Sequence, residues 1–250
     1  MIINKSFIEN KLENIKVEYL ETCTSTNKIL KNATYLADTL LIAEEQTSGV
    51  GRLNRNFVSN KNKGIYMSLL TFKKIDLKYL SKVTPITAVI VSNAIDELIN
   101  DNTKIKWVND IYLKDKKICG ILVESVIVNN RLEKLIIGIG INTYSQTFDE
   151  ELSKKASTIE DLTNIKTSRN ELIINIINNL NKALDNIDDI SYMKEYIHKS
   201  NLINKEVIVN INDTEYIAKV LDITLDAELV VEIDNSIYTL TTAEVTKIKF

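Results

Sequence analysis

Hydrophobic and polar positions alternate in two different ways along this chain. Over most of its length, short apolar runs typical of buried strands are interspersed with longer segments whose apolar residues recur at helical spacing. Strands are predicted at 16–21, 40–45 and 65–72, and a helix at 85–100 with Pro85 in its first turn. The apolar face of this helix consists of Ile86, Val89, Ile90, Ala94 and Leu98. The pattern therefore predicts helices packed on a sheet.

The pattern changes towards the end of the chain. Helices are predicted over 158–200, with an apolar face that consists of Leu172, Ile173, Ile176, Ile177, Leu180 and Leu184. After Asn204, five short apolar runs follow within fewer than fifty residues, separated by turns at Asn212-Asp213 and Asp234-Asn235-Ser236. This spacing is typical of a small β-barrel. We therefore predict an α+β fold, with a mixed sheet and helices over residues 1–203 and a small β-barrel over 204–250.

Composition excludes several classes of protein. The chain has 250 residues, of which 44% are hydrophobic and 26% charged, as in an ordinary soluble globular protein. A net charge of −3 argues against nucleic-acid binding driven by bulk electrostatics, and no run of 18 apolar residues predicts a membrane span. Cys23 and Cys119 give no disulfide framework, which favours the cytoplasm. Because His198 is the single histidine, a zinc site is not expected.

Residues 43–57 (AEEQTSGVGRLNRNF) form the most distinctive polar stretch. Gly49 and Gly51 permit φ > 0 and a close approach of the backbone to a ligand, and Arg52 and Arg55 offer forked donors that suit phosphate or carboxylate. The stretch lacks the third glycine of a dinucleotide fingerprint and the Gly-Lys-Ser/Thr of a P-loop. It therefore indicates either a loop that folds over an anionic small molecule or a solvated turn with two surface arginines.

A cluster of hydroxyl side chains precedes a helix predicted at 28–37. It comprises Thr22, Thr24, Ser25 and Thr26. One such residue is enough to cap a helix, because its oxygen accepts a hydrogen bond from a free backbone N–H. Since four hydroxyls occupy five positions, helix capping and contact with a ligand both remain open.

A hairpin is predicted within residues 104–125. Asp115-Lys116 separates two β-rich runs and predicts the turn. Lys117 then lies on the returning strand, three residues before Gly120. This lysine belongs either to a solvated face or to a binding site.

The same stretch offers a candidate for metal binding. Lys106 and Trp107 flank Asn109-Asp110, whose amide and carboxylate oxygens suit a metal-bound phosphate. With only one acidic group, this arrangement is consistent with magnesium that is bound mainly through substrate oxygens and water.

Residues 135–142 (LIIGIGIN) predict a strand with alternating glycines. Gly138 and Gly140 remove the side chains from one face, so that the backbone is open to something that lies flat against it. Asn142 would stand at the end of this strand. A bulge or the close packing of another strand would explain the glycines equally well.

The motifs together resemble the biotin–protein ligases. They are STN at 25–27, QTSGVGRLNR at 46–55, KWVND at 106–110, KKICGILVE at 116–124 and GIGIN at 138–142. The resemblance covers about residues 16–250 and implies that the C-terminal barrel is SH3-like. It also implies a ligase that joins biotin to ATP with Mg²⁺, forms biotinyl-5′-AMP, and transfers biotin to one lysine of a biotin carboxyl carrier protein.

The resemblance implies a role for each matching residue. Catalysis would depend on Lys117 and Arg52, at the new carboxyl–phosphate linkage. Biotin would be bound by Ser25, Thr26, Gln46, Gly49, Gly51, Arg52, Lys117, Gly120, Gly138 and Gly140. ATP would be bound by Arg52, Arg55, Phe57, Lys106, Asn109 and Asn142, and the metal by Asp110.

The chain departs from the family pattern at a few positions. The family commonly has G-R-G-R-x-G-R in the loop, so Val50 replaces a cation and Asn54 a glycine. Val108 replaces the proline of K-W-P-N-D, and Phe57 stands where relatives often have tryptophan. Since the other cations remain, we expect activity, with weaker retention of the adenylate by about 1–3 kcal/mol, the scale of one charged hydrogen bond.

The resemblance also bears on partners and alternatives. Only 24 residues precede Ser25, too few for the winged helix-turn-helix of family members that repress transcription, so no DNA binding is expected. Relatives often pair through sheet edges, which leaves a homodimer open. Two other functions remain open: a lipoate or octanoate ligase of the related fold, and a catalytically weak biotin-binding regulatory protein.

Overall fold

A computed structural model describes residues 2–241 and 244–248 of the chain. The helices are α1 (Lys5–Glu9), α2 (Thr26–Asn32), α3 (Leu80–Ile99), α4 (Glu150–Ser153), α5 (Ile159–Thr163), α6 (Arg169–Asp185) and α7 (Ile190–Lys199). The strands are β1 (Lys16–Leu20), β2 (Thr39–Ala43), β3 (Gly64–Thr71), β4 (Lys104–Lys106), β5 (Asp110–Leu113), β6 (Lys116–Val128), β7 (Arg131–Asn142), β8 (Glu206–Ile211), β9 (Thr214–Ile223), β10 (Leu229–Ile233), β11 (Ser236–Leu240) and β12 (Glu244–Ile248). The α+β class is thereby confirmed.

A seven-stranded mixed sheet is the centre of the larger part of the chain. Its strand order is β1-β2-β3-β7-β6-β5-β4, in which β1 and β2 are parallel and the other neighbours antiparallel. Every residue of β2 and β3 is buried, because both faces of these strands are covered. The apolar run 40–43 is therefore continuous, and the run 65–72 is interrupted only by Ser68 and Thr71. β2 ends at Ala43, two residues before the predicted end of this strand.

The two faces of the sheet have different neighbours. Since side chains alternate along a strand, Ile65, Met67 and Leu69 of β3 join the main core with the apolar faces of α3 and α6. On the opposite face, Leu70 of β3 packs with Leu30 of α2 in a smaller cluster. The remainder of that opposite face is where the cavity described below lies.

The C-terminal strands form a second, antiparallel sheet with the order β11-β10-β9-β8-β12. This confirms a second, small β unit. Its inward-facing residues, among them Val207, Val220 and Val231, belong to the same core cluster as the larger sheet. Trp107 also joins the two parts, because its Nε1 donates to the carbonyl oxygen of Ala227 at 2.8 Å. The boundary between residues 203 and 204 stays a prediction.

Two helix predictions were wrong at their ends. α3 begins at Leu80, so Pro85 lies inside the helix rather than in its first turn; a 3-10 turn at Leu77–Tyr79, capped by Asp76, leads directly into it. α2 ends at Asn32, five residues before the predicted end, and Ala33 after it has an extended backbone with φ of −83° and ψ of 156°. Tyr35 there packs on the smaller core cluster and donates its hydroxyl to Glu18 at 2.7 Å.

The hairpin turn is displaced by one residue from its predicted position. Leu113 pairs with Lys116, so the two turn residues are Lys114 and Asp115, with φ of 46° and 62°. Two consecutive positive φ values are the geometry of a type I′ turn, whose twist matches that of the strands it joins. Lys116 and Lys117 both lie on β6.

Candidate functional site

A cavity of about 910 Å³ opens on the face of the large sheet beside α2. Its floor is formed by β6 and β7, and its walls by the loop after β2, the segment before β5, and residues 152–156. Asn201 and Val245 complete the wall from the C-terminal part of the chain. A cavity of this size is typical of a small-molecule site.

Most of the predicted site residues line this one cavity. They are Ser25, Thr26, Gln46, Gly51, Arg52, Arg55, Phe57, Lys106, Asn109, Asp110, Lys117, Gly120, Gly138 and Gly140. Arg52 and Lys117, which are far apart in the sequence, are thus brought together. Their contacts with ligands stay predictions.

Gly49 and Asn142 do not line the cavity and instead shape its walls. A side chain at Gly49 would collide with the Phe57 carbonyl, because the loop crosses itself here and Phe57 N donates to Gly49 O at 2.9 Å. Asn142 is 5% exposed and donates to the carbonyl of Ser157 at 3.2 Å. Binding of biotin by Gly49 and of ATP by Asn142 stays a prediction.

The backbone of the loop does not use its glycines as expected. None of the six glycines of the chain has a positive φ; the left-handed residues are Leu53 and Asn54, with φ of 54° and 56°. Asn54 tolerates this conformation better than most residues, whereas Leu53 is strained by it. A hydrogen bond joins the two ends of the segment 51–55, because Gly51 N donates to the Arg55 carbonyl at 2.7 Å. The 3-10 turn between them presents Arg52 to the cavity.

The hydroxyl cluster is not explained by helix capping. Ser25 occupies the N-cap position of α2, but its side chain makes no capping hydrogen bond. Thr26 is drawn to the loop instead, since its N–H donates to Gln46 Oε1 at 2.9 Å. The Thr26 hydroxyl lies 2.6 Å from the Ser68 hydroxyl on β3. Ser25, Thr26 and Gln46 therefore form one uncharged polar wall of the cavity.

The glycines of the floor are covered by side chains. A Cβ at Gly138 would collide with the amide of Asn27. A Cβ at Gly140 would lie 2.5 Å from Cε1 of Phe57, and one at Gly120 would lie 3.3 Å from Cε2 of the same ring. The glycines thus make room for Asn27 and Phe57, which accounts for them without a bulge or another strand at this point.

Cations surround the Gly120 end of the cavity. Lys117 Nζ lies 2.7 Å from Asp110 Oδ1, and this carboxylate oxygen is buried with no hydrogen bond apart from the ion pair. Arg52 Nη1 donates to Asn109 Oδ1 at 3.3 Å, and Asn109 Nδ2 donates to the carbonyl of Ile121 at 2.9 Å. The cations are therefore held in place by an amide and a carboxylate that follow the cis peptide bond between Trp107 and Val108.

Two ionisable groups beside this end are kept neutral. Burial raises the pKa of the Tyr112 hydroxyl, and the negative charge of Asp110 raises it further. Burial also raises the pKa of the Cys119 thiol, more than nearby Lys117 lowers it. A neutral, buried thiol is not a reactive nucleophile. Both cysteines are free and buried.

The residues present fit a magnesium ion of the kind that the sequence predicts. Within residues 2–241 and 244–248, no group of three or more His, Cys, Asp or Glu side chains is placed to hold a metal. Asp110 therefore offers a single carboxylate, with the oxygen of Asn109 beside it. Such a set suits Mg²⁺, which is commonly held by one or two carboxylates together with substrate phosphates and water.

One wall of the cavity was not predicted from the sequence. Residues 152–156 pair with the start of β6, since Lys117 N donates to Lys155 O at 2.9 Å and Ser157 N donates to Lys117 O at 3.1 Å. Lys154 and Lys155 of this segment line the cavity. Their adjacency in the sequence was the available signal, but only the pairing with β6 brings them near Lys117.

The described residues contain no helix that is both long and apolar enough to cross a membrane. His198 is exposed on α7 and lies outside the cavity.

Comparison with known proteins agrees with this geometry. Residues 19–142 match the model of the biotin/lipoate A/B protein ligase family. The chain is similar to the bifunctional ligase/repressor BirA of Bacillus subtilis strain 168, with 35% identity over 164 residues. That match includes 64% of this chain and 50% of the relative, so the chain spans about half the length of the relative. The chain is also similar to BirA of Escherichia coli K12, with 26% identity over 219 residues, which include 86% of this chain and 68% of the relative.

Solved structures support the same fold. The biotin protein ligase of Aquifex aeolicus in complex with biotin and ATP aligns with a TM-score of 0.78 at 24% identity, over 92% of this chain and 99% of that chain. The Leishmania major biotin protein ligase in complex with biotinyl-5-AMP aligns with a TM-score of 0.62 at 20% identity, over 90% of this chain and 98% of that chain. The part of the chain that matches the biotin/lipoate A/B protein ligase family, residues 19–142, contains strands β2 to β7, the loop after β2 and most of the residues that line the cavity.

Proposed function

We propose that this chain is a biotin–protein ligase. It would activate biotin with ATP to biotinyl-5′-AMP and then transfer biotin to a lysine of a biotin carboxyl carrier protein. The observation that carries the proposal is the convergence of an uncharged polar wall and a set of cations on a single cavity. Both free cysteines suit a reducing compartment, so we place the reaction in the cytoplasm.

The polar wall suits the ureido head of biotin. Ser25, Thr26 and Gln46 offer hydroxyl and amide groups around the Gly138 end of the floor. A pocket built from such groups rejects ligands that lack the matching donors and acceptors, because its own polar groups would then stay unpaired. This end of the cavity therefore favours biotin over a fatty acid.

The cationic end suits the activation step. A carboxylate oxygen of biotin bonds to the α-phosphorus of ATP, while the bond from that phosphorus to the oxygen bridging to the β-phosphate breaks and pyrophosphate leaves. Two anions must approach each other, so Arg52 and Lys117 would offset their repulsion and the charge that develops in the transition state. Arg55, Lys106 and Asn109 would bind the nucleotide.

Magnesium would be held by Asp110 beside these cations. When bound, the ion would supply positive charge that neutralises the phosphate oxygens. Asp110 Oδ1 lies 2.7 Å from Lys117 Nζ. The same carboxylate would thus hold the lysine in the cavity and take part in binding the metal.

The transfer step consumes the adenylate. The neutral ε-amine of the acceptor lysine bonds to the acyl carbon of biotin, the bond from that carbon to the phosphate oxygen breaks, AMP leaves, and the amine loses a proton. Water must be excluded meanwhile, because it hydrolyses an acyl-adenylate. Phe57 lies over Gly120 and Gly140 and would cover the adenylate.

Replacing Val50 by arginine is expected to slow the loss of the adenylate. Val50 lines the cavity two residues before Arg52 in the loop, so an arginine there would add one charged hydrogen bond to the phosphate. We expect the dissociation rate of biotinyl-5′-AMP to fall roughly tenfold or more. The rate is measured by chasing labelled adenylate from the purified chain with unlabelled ligand.

Val58→Arg is the matched control for this substitution. Val58 is exposed and lies just beyond the cavity-lining part of the loop. An arginine at this position therefore adds the same charge, but away from the ligand. Equal release from the Val50→Arg variant and the unaltered chain would show that other cations already compensate for Val50. Lys155 is the candidate for that compensation.

The proposed function is tested by pyrophosphate exchange and by mass spectrometry. Incubating the chain with ATP, Mg²⁺ and labelled pyrophosphate should give labelled ATP only when biotin is present. A purified carrier domain added with biotin and MgATP should gain the mass of one biotinyl group. Exchange that depends on lipoate or octanoate would instead identify the related ligase, and biotin binding without exchange would identify a regulatory protein.

A further inference from the structure

A continuous series of hydrogen bonds runs behind the polar wall to a carboxylate outside the cavity. Glu124 lies on β6, two residues beyond Leu122 on the same face of the strand, and is not among the lining residues. Its Oε2 accepts from Asn27 Nδ2 at 3.0 Å. Asn27 is 5% exposed and Ser68 is fully buried, so most of this series is shielded from water.

The series has a fixed direction. Both partners of Asn27 Nδ2, the carboxylate of Glu124 and the carbonyl of Leu122 at 3.3 Å, are acceptors only. Asn27 must therefore turn its Nδ2 to them and its Oδ1 to Ser68. The Ser68 hydroxyl lies 2.6 Å from Asn27 Oδ1 and has to donate to it.

This direction reaches the cavity through Thr26. Because the Ser68 proton is engaged with Asn27, the Ser68 oxygen is left to accept from the Thr26 hydroxyl across 2.6 Å, a shorter distance than the 3.2 Å from that hydroxyl to its other acceptor, Gln46 Oε1. Thr26 lines the cavity, and its oxygen is then left with lone pairs and no free proton. Gln46 is oriented on the other side, since its Oε1 accepts from Thr26 N and its Nε2 donates to Ser59 Oγ at 2.9 Å.

We propose that Glu124 is a positioning residue that determines which groups of the polar wall donate and which accept. The inference rests on the proposed function: a Thr26 oxygen held as an acceptor matches a ureido N–H of biotin. A neutral amide at position 124 can itself donate to Asn27 Oδ1, so only the longer 3.3 Å contact with the Leu122 carbonyl would then oppose a turned-over Asn27, in which the hydroxyls of Ser68 and Thr26 reverse their direction.

An ion pair with Lys31 is the competing explanation for Glu124. Lys31 Nζ lies 2.7 Å from Oε1, and the lysine side chain is 45% exposed. Burial raises the pKa of the Glu124 carboxyl, but hydrogen bonds from Lys31 and Asn27 lower it more, so the group is ionised at neutral pH. Since the two partners bind different oxygens of the carboxylate, their contributions are separable.

The test compares Glu124→Gln with Lys31→Met in the full chain. Isothermal titration calorimetry gives the Kd of each variant for biotin and for ATP, and thermal unfolding gives the Tm. We expect Glu124→Gln to weaken biotin binding about tenfold or more, without a change in ATP binding. Lys31→Met retains the bond between Glu124 and Asn27, so its biotin affinity should stay within about twofold.

Each other outcome contradicts the inference in a different way. Unchanged biotin affinity in Glu124→Gln would show that the carboxylate does not control the wall. Equal losses in both variants would assign the effect to the ion pair, and a parallel loss of ATP affinity and Tm would assign it to general loosening of the fold. Absence of biotin binding in the unaltered chain would instead refute the proposed function on which the inference rests.

Discussion

Replacing Lys117 by alanine is expected to lower the rate of adenylate formation by about 10²–10³-fold, the scale of removing one preorganised donor from a reaction centre. Its ammonium group lies in the cavity beside Asp110 and close to the floor at Gly120. The alanine variant would lose the charge that offsets the approach of two anions and would leave Asp110 unopposed. Biotin-dependent pyrophosphate exchange measures the effect.

Lys104→Ala is the control for this prediction. Lys104 is an exposed residue of β4 in the same sheet and does not line the cavity. Lys104→Ala should therefore catalyse pyrophosphate exchange at the rate of the unaltered chain and unfold at the same temperature, whereas Lys117→Ala should still unfold in one cooperative transition. Near-normal exchange in Lys117→Ala would remove Lys117 from the proposed reaction centre.

Replacing Arg169 by methionine is expected to reduce the free energy of unfolding by about 3–5 kcal/mol, because it leaves a buried carboxylate without its counter-ion. Arg169 and Glu44 are 1% and 2% exposed. Arg169 Nη1 and Nη2 donate to the two carboxylate oxygens at 2.6 and 3.1 Å, and Nη1 also donates to Gly64 O at 3.0 Å. The pair thus ties the start of α6 to the end of β2 and the start of β3, the two strands that the loop of the cavity connects.

Denaturation in urea measures this change, and two controls separate its cause. Lys61→Ala removes an exposed ion pair with Glu21 and should change the stability by less than about 1 kcal/mol. The double variant Glu44→Leu with Arg169→Met should recover much of the loss, because no unpaired charge remains buried. A loss below about 1 kcal/mol in Arg169→Met alone would show that water reaches Glu44.

The sequence predicted which residues belong to the site better than it predicted the contacts that hold them in place. The order of the motifs was sufficient to predict that Arg52 and Lys117 share one site. The sequence next to either residue does not indicate that the other lies close in space. The strand glycines indicated open backbone. They did not reveal that Asn27 and Phe57 cover it, because that depends on where α2 and the loop cross the sheet.

Local rules also explain where the boundaries were missed. The start of α3 was placed at Pro85, since proline favours a first helical turn. In the structure the helix begins more than one turn earlier, directly after a capped 3-10 turn. The helix propensities of residues 80–84 do not strongly indicate this earlier start. The hairpin turn is a similar case. Lysine rarely adopts a positive φ, and only the register of β5 and β6 requires one at Lys114.

The hydrogen bond from Trp107 to Ala227 restricts how the C-terminal unit can vary. Trp107 and Val245 both line the cavity, so the small sheet supplies part of the wall and also anchors the indole that faces it. In a chimera that takes its C-terminal strands from a relative, the grafted segment must keep two features: a backbone acceptor opposite the indole, and an apolar side chain in place of Val245.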